Sequence, residues 1–218
     1  MKITDFVPLL FSLSIFSMST VVIAEGTEFT ELKRLLVPIS TLQANFEQTV
    51  KNEKGNLLQK LSGKVVLKKP AQFRWEVITP EPRLVVSDGQ KVWDYDKELE
   101  QVAVQKLTRG QSRAPIYFLT GDVNTLDKDF KISFVSSKQG KCLKESDACF
   151  ELTPKRGEGS FQWIRIGFRN KNLKEMQMLD QLDQYSQFIF QDVQLNGNVS
   201  VSQFRFIPPR NVDVLVND

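Results

Sequence analysis

Residues 61–77 read LSGKVVLKKPAQFRWEV. Apolar side chains recur there with a period of two, in runs on either side of a proline: Leu61, Val65 and Leu67, then Phe73, Trp75 and Val77. Successive side chains of a β-strand point to opposite faces, whereas a helix repeats about every 3.6 residues. The stretch therefore predicts two strands, each with one apolar face, connected near Pro70.

The period of two continues along most of the chain. Residues 83–87 and 91–95, joined by Ser87-Asp88-Gly89, predict a hairpin. Further strands are predicted at 98–106, 130–135, 149–153, 161–169, 173–182, 185–195 and 199–207. About ten or eleven strands with few helices indicate a mainly β protein, built as an antiparallel barrel, closed or open, or as a strongly curved sheet.

Two segments depart from this period. Residues 28–48 predict an amphipathic helix with a kink near Pro38. Its apolar residues are spaced by three and four: Phe29, Leu32, Leu35, Leu36, Ile39, Leu42 and Phe46. Residues 107–129 are mostly polar, with one apolar patch at 116–119, so short helices and loops are expected there.

Composition excludes several classes of function. The 218 residues contain no histidine, which removes Ser-His-Asp catalysis and histidine-ligated zinc. The 29 basic and 26 acidic residues give a net charge of +3, which does not indicate a nucleic-acid-binding protein. Two cysteines are too few for a four-cysteine metal site. We therefore expect no metal and no cofactor.

Residues 1–24 predict a cleaved secretory signal peptide. Lys2 precedes a mostly apolar stretch, and Ala24 places a small residue at the cleavage site. The alternative, an N-terminal membrane anchor, requires a longer apolar stretch. No linker or repeat divides residues 25–218, so they are predicted to form one exported domain. In an oxidising compartment, Cys142 and Cys149 are expected to form a local disulfide rather than a redox couple, because their spacing is not Cys-x-x-Cys.

No catalytic motif stands out. Asp94 and Asp96 share one face of a predicted strand, as a glycosidase pair would, but a solvated strand end explains them more simply. Residues 157–159 contain two glycines without the third that a dinucleotide-binding loop requires, so they indicate a turn. We therefore predict that the protein is not an enzyme.

Bulky apolar residues are abundant on the predicted strands. They form same-face pairs at Phe73 and Trp75, Met176 and Met178, Phe188 and Phe190, and Phe204 and Phe206. Such faces build either an ordinary core or a ligand cavity. The candidate cavity residues on these strands are Leu61, Val65, Leu67, Phe73, Trp75, Val77, Met176 and Met178. Lys69 ends the first apolar face, where it either extends to solvent or bonds to carbonyls of a segment covering the mouth.

Several runs of sequence, in this order along the chain, carry a family resemblance. They are FEQ at 46–48, GKVVLKKPAQFRW at 63–75, VSDGQKVWDYD at 86–96, LTP at 152–154 and FRFIPP at 204–209. Together they resemble the periplasmic outer-membrane lipoprotein carrier protein family, LolA. The resemblance implies an unclosed antiparallel barrel with a small helical lid.

The resemblance also implies a function. The protein would be a monomeric periplasmic chaperone that binds the acyl chains of triacylated outer-membrane lipoproteins in a hydrophobic cavity. It would take them from an inner-membrane ABC release complex to an outer-membrane receptor, without binding nucleic acid. The alternative is a lipid- or lipoprotein-sensing binding module of the same fold in envelope regulation.

The resemblance extends to individual residues. Positions that match the family's cavity are Phe46, Phe73 and Trp75. Positions that match its lid are Leu32, Leu35, Leu36, Pro115, Ile116, Phe118 and Leu119. Lys69 stands where the family often has an arginine that holds the lid shut, and lysine lacks the planar, multi-donor guanidinium.

Overall fold

The computed structural model describes residues 26–107, 117–136, 141–156 and 160–217. The predicted signal peptide, residues 1–24, lies outside these residues, as do Pro115 and Ile116 of the predicted lid. None of the helices in these ranges has the length and hydrophobicity that a membrane span requires.

The described residues contain twelve strands and three short α-helices. The strands are β1 (Thr41–Lys51), β2 (Leu57–Lys68), β3 (Gln72–Thr79), β4 (Arg83–Asp88), β5 (Lys91–Asp96), β6 (Gln101–Lys106), β7 (Phe130–Phe134), β8 (Ala148–Pro154), β9 (Phe161–Arg169), β10 (Asn172–Asp180), β11 (Tyr185–Leu195) and β12 (Asp213–Asn217). The helices are α1 (Thr27–Leu36), α2 (Tyr117–Thr120) and α3 (Leu126–Asp129), with 3₁₀ turns at Val123–Thr125 and Val201–Phe204.

All twelve of these strands belong to one sheet, in the order β12-β6-β5-β4-β3-β2-β1-β11-β10-β9-β8-β7. Neighbouring strands are antiparallel except β12, which runs parallel to β6. The two end strands, β12 and β7, are not neighbours in this order, so the sheet is not closed. The expectation of a mainly β, unclosed antiparallel fold is therefore confirmed.

The sheet curls around a single apolar core. That core contains Trp75 of β3 and Phe150 of β8, although these strands are six places apart in the sheet order. Residues from strands so far apart can share a cluster only if the sheet bends toward itself. Leu32 of α1 and Leu126 of α3 belong to the same core, so the helices cover the concave face.

The prediction of a helix from residue 28 to 48 is wrong beyond Leu36. Helix α1 ends there: Val37 still has helical dihedral angles, but Pro38 lacks the amide hydrogen that would continue the helical bonding. Leu42 and Phe46 lie on strand β1, both buried. Their separation of four residues fits a strand and a helix equally, so the spacing alone could not distinguish the two.

The predicted strand at 199–207 is also wrong. A 3₁₀ turn occupies Val201–Phe204, and the next strand is β12, which was not predicted. Phe206 packs against Trp93 and Tyr95, with ring centroids 6.4 and 5.8 Å away. Phe204 and Phe206 are therefore not a same-face pair on one strand. Their segment packs on the face of β5 that points away from the core.

Candidate functional site

Three aromatic rings from three strands meet on the concave face of the sheet. Phe46 of β1 stacks on Trp75 of β3, with ring centroids 4.1 Å apart. Phe188 of β11 contacts Trp75 edge-on at 5.5 Å. All three side chains are buried, so they form an aromatic centre of the core.

The structure brings the predicted cavity residues onto this one face. Those that are buried in the core besides Phe46 and Trp75 are Val65, Leu67, Phe73, Val77 and Met176. Leu61 and Met178 are partly buried and pack against it. Phe188 and Phe190, a same-face pair outside the predicted cavity residues, both lie in the same core.

Two helical segments cover this face. Leu32, Leu35 and Leu36 of α1 are buried in the core, as are Phe118 and Leu119 of α2. The Phe118 ring lies edge-on to Phe161, with centroids 5.0 Å apart. We use "lid" for α1 together with residues 117–129.

Two lid residues were not predicted from the sequence. Val123 and Leu126 follow α2 and are buried in the core. Their spacing of three residues is typical of one apolar face of a helix. The surrounding segment is mostly polar, so this short pattern did not stand out.

Lys69 connects the sheet to the end of helix α1. It follows the last residue of β2, and its Nζ donates a hydrogen bond of 2.6 Å to the carbonyl oxygen of Leu36. That carbonyl lies in the last turn of α1, where helix carbonyls have no partner within the helix. Burial lowers the pKa of the Lys69 ammonium. Of the two alternatives, Lys69 bonds to a covering segment rather than extending to solvent.

The turn between β2 and β3 contacts the rest of the lid as well. The Ala71 amide donates to the Thr120 carbonyl oxygen of α2 at 3.2 Å. The Ser87 hydroxyl supports this turn by donating to the Ala71 carbonyl oxygen at 2.9 Å. A pocket of about 290 Å³ opens beside it, lined by Val37, Lys69, Pro70 and residues 120–124. The turn is thus a junction between the two parts of the lid.

Asn196 fixes the link between α1 and β1. Its Oδ1 accepts hydrogen bonds from the Ser40 amide at 2.8 Å and the Ser40 hydroxyl at 2.9 Å. Its Nδ2 donates to the Pro38 carbonyl oxygen at 2.9 Å. The residue was predicted only as part of a turn, because its partners are more than 150 positions away in the sequence.

The two candidate carboxylates of β5 have different hydrogen-bond partners. Arg83 donates two hydrogen bonds of 2.7 Å to Asp94, and this bonding raises the pKa of the arginine. Asp96 instead accepts the backbone amides of Glu98 and Leu99 at the turn. Within the described residues, no group of three or more histidine, cysteine or acidic residues could hold a metal ion.

Comparison with known proteins identifies a family. Residues 38–207 match the family model described as "Outer membrane lipoprotein carrier protein LolA". A relative from Coxiella burnetii, named an outer-membrane lipoprotein carrier protein, is 32% identical over 207 residues, which cover 94% of this chain and 95% of that protein. A relative of the same name from Pseudomonas paraeruginosa is 36% identical over 184 residues, covering 84% and 85%.

A solved structure supports the fold alone. An uncharacterized conserved protein from Thermus thermophilus superposes with a TM-score of 0.50 at 13% identity, covering 87% of this chain and 98% of that one. Because the identity is low, this likeness concerns only the arrangement of the chain.

Proposed function

The chain belongs to the LolA family of outer membrane lipoprotein carrier proteins, and from this premise we propose that it carries lipoproteins by enclosing their acyl chains. The chains would lie against the concave face of the sheet, around Phe46, Trp75 and Phe188. Loading would require the lid to move away from the core. This proposal requires no catalytic residue and no cofactor.

The physical need for such a carrier follows from the cost of exposing an acyl chain to water. Each buried methylene contributes about 0.8 kcal/mol, so a chain with roughly a dozen buried methylenes costs ~10 kcal/mol to expose. A lipoprotein with several chains therefore does not cross water unaided.

The cover of the concave face supports the proposal most directly. Bulky apolar side chains fill that face, yet short helices rather than a second sheet cover it. The bond from Lys69 to Leu36 and the bond from Ala71 to Thr120 connect this cover to the β2–β3 turn. A cover of short helices, bonded to the sheet at this turn rather than through a continuous strand ladder, suits a cavity that must open and close.

We infer the remaining properties from the same premise. The protein would act in the periplasm as a monomer, after cleavage of residues 1–24, with residues 25–218 as one carrier domain. Strands from residue 41 to 217 pair within one sheet, which supports a single domain. An inner-membrane ABC release complex would supply triacylated lipoproteins, and an outer-membrane receptor would accept them.

Native mass spectrometry of the purified mature protein tests the proposal. The protein is mixed with an acylated lipoprotein or with the same lipoprotein lacking its lipid. We expect a one-to-one complex with the acylated form alone. The alternative function, a lipid- or lipoprotein-sensing module of the same fold, gains support if the unlipidated form binds equally, and that result overturns the carrier proposal.

Substitutions in the aromatic centre test the location of the cavity. Trp75→Glu places a charge among apolar side chains and is expected to abolish the complex. Ile78→Glu is the matched control, because residue 78 is exposed on the same strand. Circular dichroism checks that both variants fold, and Trp75→Ala replaces Trp75→Glu if the latter does not. Retention of cargo by the folded Trp75 variant contradicts the assignment.

A further inference from the structure

A disulfide-closed loop lies on the convex face of the sheet, over strands β9 and β10. Cys142 and Cys149 are joined as a disulfide, with Cα atoms 6.6 Å apart. The loop covers Glu175, which is completely buried. The Glu175 carboxylate accepts hydrogen bonds from the Leu143 amide at 2.6 Å and the Ser146 hydroxyl at 2.9 Å.

The convex face is shaped to admit this carboxylate. Gly167 lies opposite Glu175 on β9, and a Cβ there would come within 2.6 Å of Glu175 Cγ. It would also come within 2.9 Å of Ser146 Oγ. The glycine therefore makes room for Glu175 and the loop at once. Gln177 donates to the second carboxylate oxygen of Glu175 at 2.8 Å, so both oxygens are engaged.

The same loop is tied to the turn between β9 and β10. The Asp147 amide donates to the Phe168 carbonyl oxygen at 3.0 Å. The Asp147 carboxylate accepts the Asn170 amide at 2.7 Å. A disulfide, a buried carboxylate and this third tie hold residues 141–149 and 169–172 as one unit, which we call the basic docking surface.

This surface presents positive charge without internal partners. Its four exposed cations are Lys141, Lys144, Arg169 and Lys171. Among the described residues, no ion pair engages any of these four side chains. The surface has two carboxylates, those of Glu145 and Asp147. The Asp147 carboxylate accepts a hydrogen bond from the backbone amide of Asn170. The cations are therefore available to a partner.

We propose that the basic docking surface binds an acidic segment of a partner protein. The backbone that carries these cations is already fixed, so binding does not have to order it, and complementary charge contributes to specificity and to the rate of association. A bilayer does not require a fixed arrangement of charges. None of the large exposed apolar side chains of the described residues lies on this surface to insert into lipid.

The site is separate from the proposed cavity. Gly167 and Glu175 alternate along their strands with the core residues Ile166, Phe168 and Met176, so they face away from the core. The inference therefore does not depend on lipid binding, and either proposal can fail without the other.

Binding of a fluorescent peptide of alternating glutamate and serine tests the inference. Fluorescence anisotropy is measured at about 50 mM salt, where screening is moderate. The variant Lys141→Gln/Lys144→Gln/Arg169→Gln/Lys171→Gln is expected to bind about ten-fold more weakly. The matched control is Lys51→Gln/Lys54→Gln/Lys91→Gln/Lys106→Gln, which removes the same charge from exposed positions elsewhere and is expected to bind like the unaltered protein.

A second variant separates rigidity from charge. Cys142→Ser/Cys149→Ser keeps every charge but frees the loop, and we expect about three-fold weaker binding. Equal loss in the two glutamine variants indicates a non-specific response to net charge and overturns the proposal. Stronger binding to phosphatidylglycerol vesicles than to the peptide, abolished by the same four substitutions, also overturns it by identifying a lipid surface instead.

Discussion

The Lys69 ammonium lies 2.6 Å from the Leu36 carbonyl oxygen and thereby ties the turn after β2 to the end of helix α1. A single donor and a single acceptor make this contact. A guanidinium at the same position has five donors in a plane and can bond several carbonyls at once. The contact is therefore expected to break more readily than an arginine contact at this position.

Lys69→Met should release helix α1 with little change in global stability. The methionine keeps the apolar stem but removes the hydrogen bond, and it also removes the cost of partly burying an ammonium. Hydrogen exchange of the α1 amides should become faster, while Lys69→Arg should slow it. Lys68→Met, one residue earlier, is the control. Unchanged exchange in Lys69→Met would show that apolar packing alone holds the lid.

Asn196 should matter to stability beyond what an exposed turn residue usually does. Asn196→Gly retains the left-handed backbone, which has a φ of 58°, but removes three side-chain hydrogen bonds to the α1–β1 link. We expect the free energy of unfolding to fall by about 1–2 kcal/mol. Asn196→Ala should lower the free energy of unfolding by about 1 kcal/mol more, because alanine is strained at positive φ.

Urea unfolding measures these changes, with Asn198→Gly as the control from the same turn. A stability of Asn196→Gly equal to that of the control would mean that water replaces the lost bonds at no cost. The link between α1 and β1 would then be held by its neighbours in the core.

The alternation of apolar and polar side chains predicted most of the sheet, because most strands have one apolar and one polar face. The hairpin at 83–96 and the aromatic face of 73–77 were predictable for this reason. Leu42 and Phe46 were not, because their spacing fits both periods. The decisive information was Pro38, which ends the helix rather than bending it.

Burial on the convex face could not be predicted from local pattern. Glu175 and Gln177 alternate with methionines, so the pattern places them on a solvated face, yet both are buried. The loop that covers Glu175 comes from about 30 residues earlier in the chain. Contacts between segments so far apart leave no signal in the period of a single strand.

Gly63→Ala should destabilise the protein strongly. A Cβ at residue 63 would overlap the backbone carbonyl of Glu76 on β3 and lie 2.9 Å from the Phe46 ring. Neither β3 nor a buried ring can move easily, so we expect a loss of about 2–3 kcal/mol in the free energy of unfolding. Gly197→Ala is the control, since its nearest neighbour would be a side-chain atom 3.7 Å away. Equal stability of the two variants would contradict the packing described for β2 and β3.

Tyr185 should make the stability depend on pH in the alkaline range. Partial burial, reinforced by the charge of Glu175, raises the pKa of its phenol to about 12, and the Arg165 charge acts in the opposite direction. In the unfolded chain the pKa is about 10. The unfolded state therefore loses its proton first, so the contribution of Tyr185 is full below pH 10 and is lost as the pH rises toward 12.

Tyr185→Phe removes this contribution. Comparing the pH dependence of unfolding of this variant with that of the unaltered protein measures it. The free energy of unfolding of the unaltered protein should fall more steeply between pH 10 and 12 than that of Tyr185→Phe. All other residues are common to both proteins, so the difference between the two curves isolates Tyr185. Parallel curves would mean that water reaches the phenol despite its contact with the Trp163 ring, whose centroid lies 6.2 Å away.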